Sequence, residues 1–573
     1  MKNLGIQCIP HVHRLKPTLE QFASYTKKVW WKLTTLMILV LHGRSLLSVK
    51  KARNFWRPTM TEIHRDDRLF VYDKTEKLPE FFKKKIMAEY HKRLKNLSRR
   101  EANLYLLNIS EHIDSSLISR LSLKTLDADE DDLNKLAEDE AQECIMIWQS
   151  LSNESLKKPY KRILGFMAYR GIHPSGLKDE PSTSDMLSLI RRSINKSWWL
   201  SNLRIRQNRD IETVARTLNF VKKNAQIYAS DLNVTRRRWQ KQKQHEFLEN
   251  MLATNEEGQS FLLSELKATS VSNPRIRKDE MMVRCRGFEE YAKTKKHTAI
   301  FITITCPSKY HRAYSTSGDP TKNWDGSTPI DAQQYLKTTF SRIRAELDRQ
   351  GIRAYGFRVA EPHHDGTPHW HLLLFLKGSD EQPVKDIFTH YAFEEDGDEE
   401  GADKHRITIV KIDPNKGSAT GYIAKYISKN IDGENLDVGI YGENPTVAAR
   451  RIETWASVWG IRQFQQIGGA GVSIWRELRR MDPLDDPESI IELARKAADD
   501  SKWDEYLKAM GGDDCSRKDR PIKLVYKDSV DISTGVLKEN QYGEIKAQSI
   551  YGLEHANVRI NTRPHTWEIS RAS

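Results

Sequence analysis

The spacing of apolar residues changes near Lys296, and this change limits the folds that the chain can adopt more than any other feature. Upstream, from about residue 79 to residue 266, apolar residues recur at helical intervals among many charged residues. Downstream, residues 298–305 are mostly β-branched or aromatic and are followed by Pro307, a pattern that predicts a strand. We therefore expect a mostly helical region followed by a region that contains a sheet.

The residues after this first strand alternate between strand and helix patterns. Residues 331–350 carry an apolar face at helical spacing, and Gly351 is well placed as the C-terminal cap. The remaining elements are three strands followed by one helix, at residues 354–361, 369–376, 405–412 and 418–430. This order of elements predicts an α+β domain built around a sheet.

The length of the chain allows several domains. At about 150 residues per domain, 573 residues correspond to roughly three to four domains. We predict a basic N-terminal segment of unassigned role (1–60), a helical region (61–197) and a basic helical region (198–296). The sheet-containing domain (297–480) and a small mixed α/β C-terminal region (481–573) follow. Proline and aspartate enrichment past Arg480 marks the last of these boundaries.

The charge of the chain favours a polyanionic partner. There are 92 Lys and Arg against 78 Asp and Glu, a formal charge of +14, but charge alone does not separate nucleic-acid binding from a basic soluble surface. The five scattered cysteines form no C-x-x-C pair and fit a reducing cytoplasm. The longest apolar stretch, residues 33–41, is shorter than the about 20 residues of a membrane helix, so we predict no membrane segment.

A basic stretch in the second helical region is a candidate nucleic-acid surface. Arg236, Arg237 and Arg238 are followed directly by Trp239, and further lysines come after them. Basic groups interleaved with aromatic rings suit phosphate contact combined with base stacking. The alternative is a solvated helix face with the tryptophan in the core, and the sequence leaves both interpretations open.

Two histidines two residues apart form a candidate metal site. In His369-Trp370-His371, the two-residue period of a strand places both imidazoles on one face and Trp370 on the other. Two imidazoles and a carboxylate can hold a divalent cation with positions open for substrate oxygens, and Glu361 ends the preceding strand. The alternative is that both histidines are structural, since the same spacing arises by chance, as at residues 11–13.

The register of the hairpin decides whether Glu361 can join the two histidines. The turn between the two strands is expected at residues 364–367. With strictly even pairing around this turn, Glu361 would lie opposite Trp370 and therefore on the wrong face. The metal site thus requires an odd-length loop or a bulge, which Pro368 favours because it cannot donate a hydrogen bond to the ladder.

The last predicted helix carries two tyrosines and two lysines. Tyr422 and Tyr426 are four residues apart, so they stack on one helical face, with Lys425 and Lys429 on a neighbouring stripe. Such phenols are candidate nucleophiles, and the lysines are candidates for stabilising phenolate and phosphate charge. A free phenol has a pKa of about 10, so its deprotonation needs assistance. The alternative is an ordinary amphipathic helix with surface tyrosines and lysines.

The order of these motifs resembles a known enzyme family. The motifs are a strand followed by Thr305-Cys306-Pro307, then Glu361-Pro362-His363-His364-Asp365-Gly366-Thr367-Pro368-His369-Trp370-His371, then Tyr422-x-x-Lys425-Tyr426-x-x-Lys429. Together they resemble the HUH endonucleases and, more narrowly, the phage replication gene A protein family of two-tyrosine rolling-circle initiators. The resemblance implies that residues 297–480 are an HUH endonuclease domain with an antiparallel, ferredoxin-like or RRM-like sheet.

The resemblance also implies roles for the motif residues. His369, His371 and Glu361 would bind Mg²⁺ or Mn²⁺ at the scissile phosphate of a single-stranded or supercoiled DNA origin. Tyr422 or Tyr426 would attack that phosphate, leaving a 5′-phosphotyrosyl enzyme and a free 3′-OH that primes rolling-circle synthesis. The other tyrosine would cleave or join the strand when the fork returns to the origin.

The partners expected from this resemblance are a separate helicase and a replicative polymerase in the cytoplasm of a bacterial host. Nicking and rejoining by transesterification need no ATP, and the sequence agrees because it has no Gly-Lys dipeptide and therefore no P-loop. Three other functions stay open. They are a two-tyrosine single-strand transposase, a non-catalytic DNA-binding protein, and a zinc hydrolase built on His369 and His371.

Overall fold

The computed structural model describes residues 64–76, 78, 80–112, 123–434, 437–439, 441–531 and 534–572. The basic N-terminal segment predicted at residues 1–60, with its His-x-His pattern and its apolar stretch, lies outside the described residues. The chain divides into two compact units, Met1–Ser110 and Glu111–Ser573. Within the described ranges, no helix is long and apolar enough to cross a membrane.

The described part of the first unit is helical. Its helices are α1 (Asp67–Thr75), α2 (Glu80–Asn96) and most of α3 (Arg99–His112). Phe82, Ile86 and Tyr90 follow the helical period of α2 and are buried, because one face of that helix packs into the core of the unit. The Tyr90 hydroxyl donates to Asn103 of α3 at 2.9 Å. None of the candidate site residues belongs to this unit.

The described part of the second unit begins with six helices, as the helical spacing predicts. They are α4 (Leu123–Leu126), α5 (Glu130–Ser150), α6 (Lys157–Tyr169), α7 (Thr183–Ser193), α8 (Lys196–Thr217) and α9 (Asp231–Glu249). Polar caps fix several starts, since Asp129 caps α5 and Ser182 caps α7, each in a capping box. Trp199 of α8 is fully buried, and its indole N–H donates to the Ser193 carbonyl at 2.6 Å.

A short hairpin and two helices lead into the central sheet. These elements are β1 (Met251–Asn255), β2 (Ser260–Leu262), α10 (Leu263–Ala268) and α11 (Pro274–Lys295). The five strands of the central sheet are β3 (Thr298–Ile304), β4 (Tyr355–Pro362), β5 (Pro368–Leu376), β6 (Ile407–Lys411) and β7 (Phe464–Ile467). They are antiparallel and lie in the order β6-β3-β5-β4-β7. The α+β class is therefore confirmed, and β7 is a fifth strand that we did not predict.

Helices cover both faces of the central sheet. The helices after β3 are α12 (Pro329–Arg349), α13 (Glu381–Phe393), α14 (Ala402–His405), α15 (Ala419–Ile431) and α16 (Pro445–Trp459). Ile302 and Leu372 point to one face, which packs against α12, α13 and α16. Phe301 and Leu373 point to the other face, which packs against α11 and α15. The two-residue period of the strands thus divides the core into two layers.

The C-terminal elements are helical first and then extended. They are α17 (Val472–Leu478), α18 (Ile490–Asp499), α19 (Trp503–Ala509), β8 (Ile522–Lys527), β9 (Ser549–His555), β10 (Val558–Asn561) and β11 (Trp567–Arg571). Strands β8, β9 and β10 form one small sheet, and β11 pairs with β1 in another. Residues 251–262, expected in a basic helical region, are therefore a hairpin. Its partner strand lies some three hundred residues away, so local spacing could not reveal the pairing.

Candidate active site

The hairpin of β4 and β5 places Glu361 directly opposite His369. The register pairs Pro362 with Pro368, so the loop between them has five residues, 363–367. This is the odd-length loop that the sequence required for Glu361 to share a face with the histidines. His371 lies two residues further along β5 and points to the same face, so three ligand-type side chains meet there.

The loop of this hairpin is held by α8, by α16 and by the loop that connects α8 to α9. The Arg216 guanidinium of α8 donates to the Asp365 carbonyl at 2.9 Å, and the Trp455 indole of α16 donates to the Gly366 carbonyl at 2.7 Å. The Tyr228 backbone N–H donates to the His364 carbonyl at 3.1 Å. His363 and His364 are thus loop residues, and partners from distant parts of the chain fix the loop that sets the register.

Glu361, His369 and His371 form a compact and buried triad. Their ligand atoms all lie within 4.8 Å of one another, and within the described ranges this is the one group of three potential metal-binding side chains. Glu361 Oε2 is 4.0 Å from His369 Nε2 and 3.7 Å from His371 Nε2. The exposed fractions are 0% for Glu361, 8% for His369 and 5% for His371. The three groups are therefore shielded from bulk water.

Burial keeps both imidazoles in their neutral, metal-binding form. Desolvation lowers the pKa of His371 from 6.5 to about 4, against the opposing influence of the Glu361 carboxylate. Desolvation, with the neighbouring His363 and His371, lowers the pKa of His369 well below its ordinary value. On the strand beside β5, Thr303 Oγ1 lies 2.9 Å from Nδ1 of His371 and orients that ring.

The triad fits a divalent cation. Nε2 of His371, which lies 3.7 Å from Glu361 Oε2, is buried and has no hydrogen-bond partner among the described residues, which is unusual for a buried ring nitrogen. Two imidazole nitrogens and one carboxylate oxygen leave further coordination positions for water or phosphate oxygens.

Glu361 also has two partners on α15. The Lys429 ammonium lies 2.9 Å from Glu361 Oε2, and the Asn430 side-chain amide donates to Glu361 Oε1. Lys429 is 4% exposed, and its ammonium also lies 5.5 Å from the centre of the Tyr228 ring. The carboxylate therefore links the hairpin to the tyrosine helix through a buried ion pair.

The tyrosines of α15 lie on the side of the triad but in different environments. The Tyr426 ring centre is 4.0 Å from that of His371, and Phe301 stacks on the Tyr426 ring at 5.3 Å. Burial raises the pKa of the Tyr426 phenol, and the Glu361 carboxylate adds to this rise. Tyr422 is 44% exposed and reaches the same cluster through Phe301, with ring centres 6.0 Å apart.

The structure places the two lysines of α15 in different environments, with Lys429 buried and Lys425 exposed. Lys429 lies seven residues after Tyr422, nearly two helical turns, so it continues the tyrosine stripe instead of a neighbouring one. Lys425 is exposed and has no ion pair among the described residues. Of the four predicted side chains on this helix, Tyr426 and Lys429 therefore contact the triad directly, and Lys425 does not.

The basic stretch on α9 is only partly available to a ligand. Arg237 pairs with Glu453 of α16 at 2.7 Å, and Arg236 donates to Gln207 of α8. Arg238 is exposed, and Trp239 is 52% exposed and therefore not a core residue. Arg236 and Arg237 thus serve contacts between helices, whereas Arg238 and Trp239 face solvent.

Three supporting residues were not singled out from the sequence. Thr303 lies directly opposite His371 in the sheet, and its place on the same face follows from strand alternation in β3. Asn430 follows Lys429 at the end of the tyrosine motif, so its polar side chain was a visible signal. Tyr228 comes from a loop between α8 and α9. The stretch Tyr228-Ala229-Ser230-Asp231 belongs to the resemblance to the family, but no role was predicted for this tyrosine at the site, where it contacts Lys429.

Comparison with protein families gives one match that spans more than half of the chain. Residues 117–434 match the family described as bacteriophage replication gene A protein (GPA). The match includes β3, the hairpin of β4 and β5, and α15, so all the residues of the candidate site fall within it. No solved structure matches the chain.

Several curated proteins of phages and prophages are similar to the chain. It is 37% identical over 417 residues to the probable replication protein P12 of Pseudoalteromonas phage PM2, covering 71% of this chain and 63% of that protein. It is 41% identical over 393 residues to the replication gene A protein of Escherichia phage 186, covering 66% of this chain and 55% of that protein. A probable replication endonuclease from a prophage-like region of Salmonella paratyphi A is 35% identical over 357 residues, covering 59% of this chain and 44% of that protein. The chain thus spans about half of the length of these relatives.

Proposed function

This chain belongs to the bacteriophage replication gene A protein family, and from that premise we propose that it is a replication endonuclease that nicks one DNA strand through a tyrosine. The product is a 5′-phosphotyrosyl enzyme and a free 3′-OH that starts rolling-circle synthesis. We assign the reaction to a sheet of the HUH endonuclease type.

The observation that carries this proposal is the contact between a phenol and the triad. The ring of Tyr426 lies 4.0 Å from the ring of His371, whose Nε2 is 3.7 Å from Glu361. A candidate metal-binding triad on the hairpin and candidate nucleophiles on the helix packed beside it are the parts that phosphoryl transfer to a side chain needs. Neither a purely structural histidine pair nor a simple DNA-binding surface requires that arrangement.

The side chains divide the reaction between them. The phenol of Tyr422 or Tyr426 releases its proton as its oxygen attacks the scissile phosphorus. The phosphorus–oxygen bond to the 3′ oxygen breaks, and that oxygen takes up a proton to become the 3′-OH. Because no bond energy is lost, the 3′-OH can reverse the step and rejoin the strand. Two tyrosines allow a second transfer while the first is still esterified.

The triad would hold the divalent cation of the reaction. Glu361, His369 and His371 would bind Mg²⁺ or Mn²⁺, which when bound would polarise the scissile phosphate. Thr303 keeps the His371 ring in place for this task, and Lys429 holds the Glu361 carboxylate. Exposed Lys425, one turn from Tyr422, is available for a DNA phosphate.

The DNA partner is a single-stranded or supercoiled origin, and strand separation and synthesis are left to a separate helicase and polymerase. The exposed Arg238 and Trp239 on α9 offer a cation and a stacking surface for DNA outside the candidate active site. Arg236 and Arg237 support that helix through their contacts with Gln207 and Glu453.

A nicking assay on supercoiled plasmid that carries the cognate origin tests this function. We expect the wild-type protein to convert the plasmid to open circles only when Mg²⁺ or Mn²⁺ is present. The double variant Tyr422→Phe plus Tyr426→Phe should produce no open circles, because both phenol oxygens are missing. The control is Tyr169→Phe plus Tyr314→Phe, which changes two exposed tyrosines outside the site and should nick at the wild-type rate.

Two results would overturn the proposal. Cleavage that survives loss of both helix tyrosines would indicate a hydrolase that uses water instead of a phenol. Plasmid binding without metal-dependent nicking by the wild-type protein would indicate a non-catalytic DNA-binding protein.

A further inference from the structure

A long basic groove runs along the free edge of the central sheet. It has a volume of about 1590 Å³ and is bordered by β7, by α11, by the end of α12 and by the segment that leads into β8. In the part of the chain that the structure describes, β7 is the last strand of the sheet and pairs with β4 alone, so it borders the groove with its other edge. The groove is separate from the triad, and none of the proposed catalytic residues lines it.

The lining of the groove carries a surplus of positive charge. It contains nine arginines and lysines against four carboxylates. Five of these cations are exposed and have no carboxylate partner among the described residues, namely Arg277, Arg344, Arg462, Arg517 and Lys523. None of the five is therefore neutralised by an ion pair with a described carboxylate, although Arg462 also donates a hydrogen bond to the Phe464 backbone carbonyl at 3.1 Å.

The carboxylates in the lining are already satisfied. Glu280 pairs with Arg476 at 2.7 Å, Asp348 with Arg353 at 3.1 Å, and Asp514 with Lys377 at 3.6 Å. The fourth, Asp513, accepts a hydrogen bond from a tyrosine hydroxyl at 2.8 Å. A polyanion entering the groove would therefore meet cations without an ion pair, whereas three of the four carboxylates are ion-paired and the fourth is hydrogen-bonded. This is the electrostatic pattern of a phosphate-binding channel.

Aromatic and amide side chains accompany the charges. Phe464 of β7 is half-buried and Tyr526 of β8 is 47% exposed, so both rings offer a face to the groove. Gln463 and Gln465 line the same edge. Rings beside unpaired cations suit unstacked bases and a phosphate backbone at the same time.

The groove is connected to the candidate active site by two hydrogen bonds. The Gln463 side-chain amide, which lines the groove, donates to Asn430 Oδ1 at 3.0 Å. The Asn430 amide in turn donates to the Glu361 carboxylate. One end of the groove therefore lies within two side chains of the proposed metal ligand.

We propose that this groove binds single-stranded DNA that continues from the scissile phosphate, an inference that rests on the proposed nicking function. The triad is buried, so a phosphate reaches it only on a flexible, unpaired strand. That strand must leave the candidate active site along some surface. The groove supplies such a surface, and one end of it is connected to the triad through Gln463 and Asn430. A protein strand added to β7 would use the same edge, but it has no need of five unpaired cations.

Oligonucleotide binding as a function of salt tests the groove directly. The variant Arg344→Gln, Arg517→Gln, Lys523→Gln removes three of the unpaired cations, and a fluorescent oligothymidine of about 20 nucleotides serves as the probe. We expect affinity to fall at least about tenfold, and the slope of log K against log salt to become shallower by about 2, since each lost phosphate contact on a single strand contributes about 0.7.

A matched control separates groove contacts from general loss of charge. The variant Arg162→Gln, Arg571→Gln, Lys337→Gln also loses three exposed cations, but none of them lines the groove. It should keep the wild-type slope. Equal slopes for the two triple variants would overturn the proposal, and would leave the edge of β7 to a protein strand.

A second measurement covers the case in which the groove variant folds poorly. Oligonucleotide with 5-iodouracil is cross-linked by light to the wild-type protein, and the modified peptides are mapped by mass spectrometry. Adducts at Phe464 or Tyr526 are expected. Adducts confined to α9 would contradict the proposal.

The groove and the nicking function can fail separately. If the wild-type protein nicks DNA but the groove variant keeps the wild-type slope, the groove proposal alone fails. If the groove variant loses binding while the wild-type protein never nicks, the groove stands and the proposed function fails.

Discussion

The hairpin of β4 and β5 and the helix α15 both contribute to the candidate site, but they position their side chains in different ways. On the hairpin, the backbone register alone places Glu361 opposite His369 and sets His371 on the same face. On the helix, spacing alone places Tyr422 and Tyr426 on one stripe, yet Tyr426 packs against the triad while Tyr422 is 44% exposed.

This difference separates what must be rigid from what must reach a substrate. In the proposed reaction the metal ligands need fixed mutual geometry, which paired strands supply and a buried loop maintains. A nucleophile needs access to a phosphate, and an exposed phenol one turn from a packed one offers that access. The buried Glu361–Lys429 ion pair is where the fixed hairpin meets the helix, so changes there should have the largest consequences.

The largest effect is expected from breaking that ion pair. Glu361→Gln leaves the Lys429 ammonium buried without a countercharge, which we expect to lower the free energy of unfolding by about 3–5 kcal/mol. Urea denaturation of the two proteins measures this difference. Adding Lys429→Met should restore part of the stability but no nicking, and an unchanged stability of the single variant would show that the pair does not join the two elements.

A smaller effect is expected from acidifying the hairpin. His371 has a folded pKa of about 4 against 6.5 for the free group, so between these values the unfolded state binds a proton that the folded state excludes. Stability should therefore decrease as pH falls, by about 2 kcal/mol for this residue between pH 7.5 and pH 5.

Urea denaturation in EDTA at the two pH values measures that loss. His371→Gln should lose less stability than wild type over the same interval, because glutamine does not titrate. The same loss in both proteins would mean that the imidazole is not held neutral by its surroundings.

The contrast within the helix can be sharpened by truncating each tyrosine. Tyr426→Ala removes a ring packed on His371 and Phe301 and should lower the free energy of unfolding by about 1.5 kcal/mol, less than for a fully buried aromatic. Tyr422→Ala should change it by no more than about 0.5 kcal/mol, as for other exposed positions. Thermal melts of both variants distinguish the two environments, and equal losses would remove the contrast.

The smallest effect concerns the orientation of one metal ligand. Thr303→Val keeps the shape of the side chain but loses the contact with His371 Nδ1, so Mn²⁺ affinity should fall about tenfold. Isothermal titration with Mn²⁺ measures it. Thr305→Val, one residue past the end of the same strand and bonded to the His405 carbonyl, is the control and should bind Mn²⁺ as wild type does.

The sequence was most informative where one period decides the outcome. Strand alternation predicted that His369 and His371 share one face, and the pairing rule gave the condition, an odd-length loop or a bulge, under which Glu361 joins them. The structure meets that condition with a five-residue loop. Helical spacing likewise brought Tyr422 and Tyr426 to one stripe. These features depend only on neighbours along the chain, so one sequence is enough to predict them.

The features that the sequence did not reveal depend on distant partners. Strand β7 pairs with β4 from about one hundred residues away, and β11 completes a sheet with β1 from the other end of the unit. Lys429 was expected beside the tyrosines, but the Glu361 carboxylate draws it to the triad. Arg237 was expected to face DNA, but Glu453 of another helix binds it. Charge pairs of this kind become visible only when the elements are packed.

The most direct test of the account is to trap the covalent intermediate on origin DNA and identify the modified residue by mass spectrometry. The wild-type protein, with Mg²⁺ or Mn²⁺ and a single-stranded origin, should yield a peptide from α15 with a 5′-phosphoryl nucleotide on Tyr422 or Tyr426. A nicked strand without any covalent adduct, or an adduct on a residue outside α15, would contradict the account.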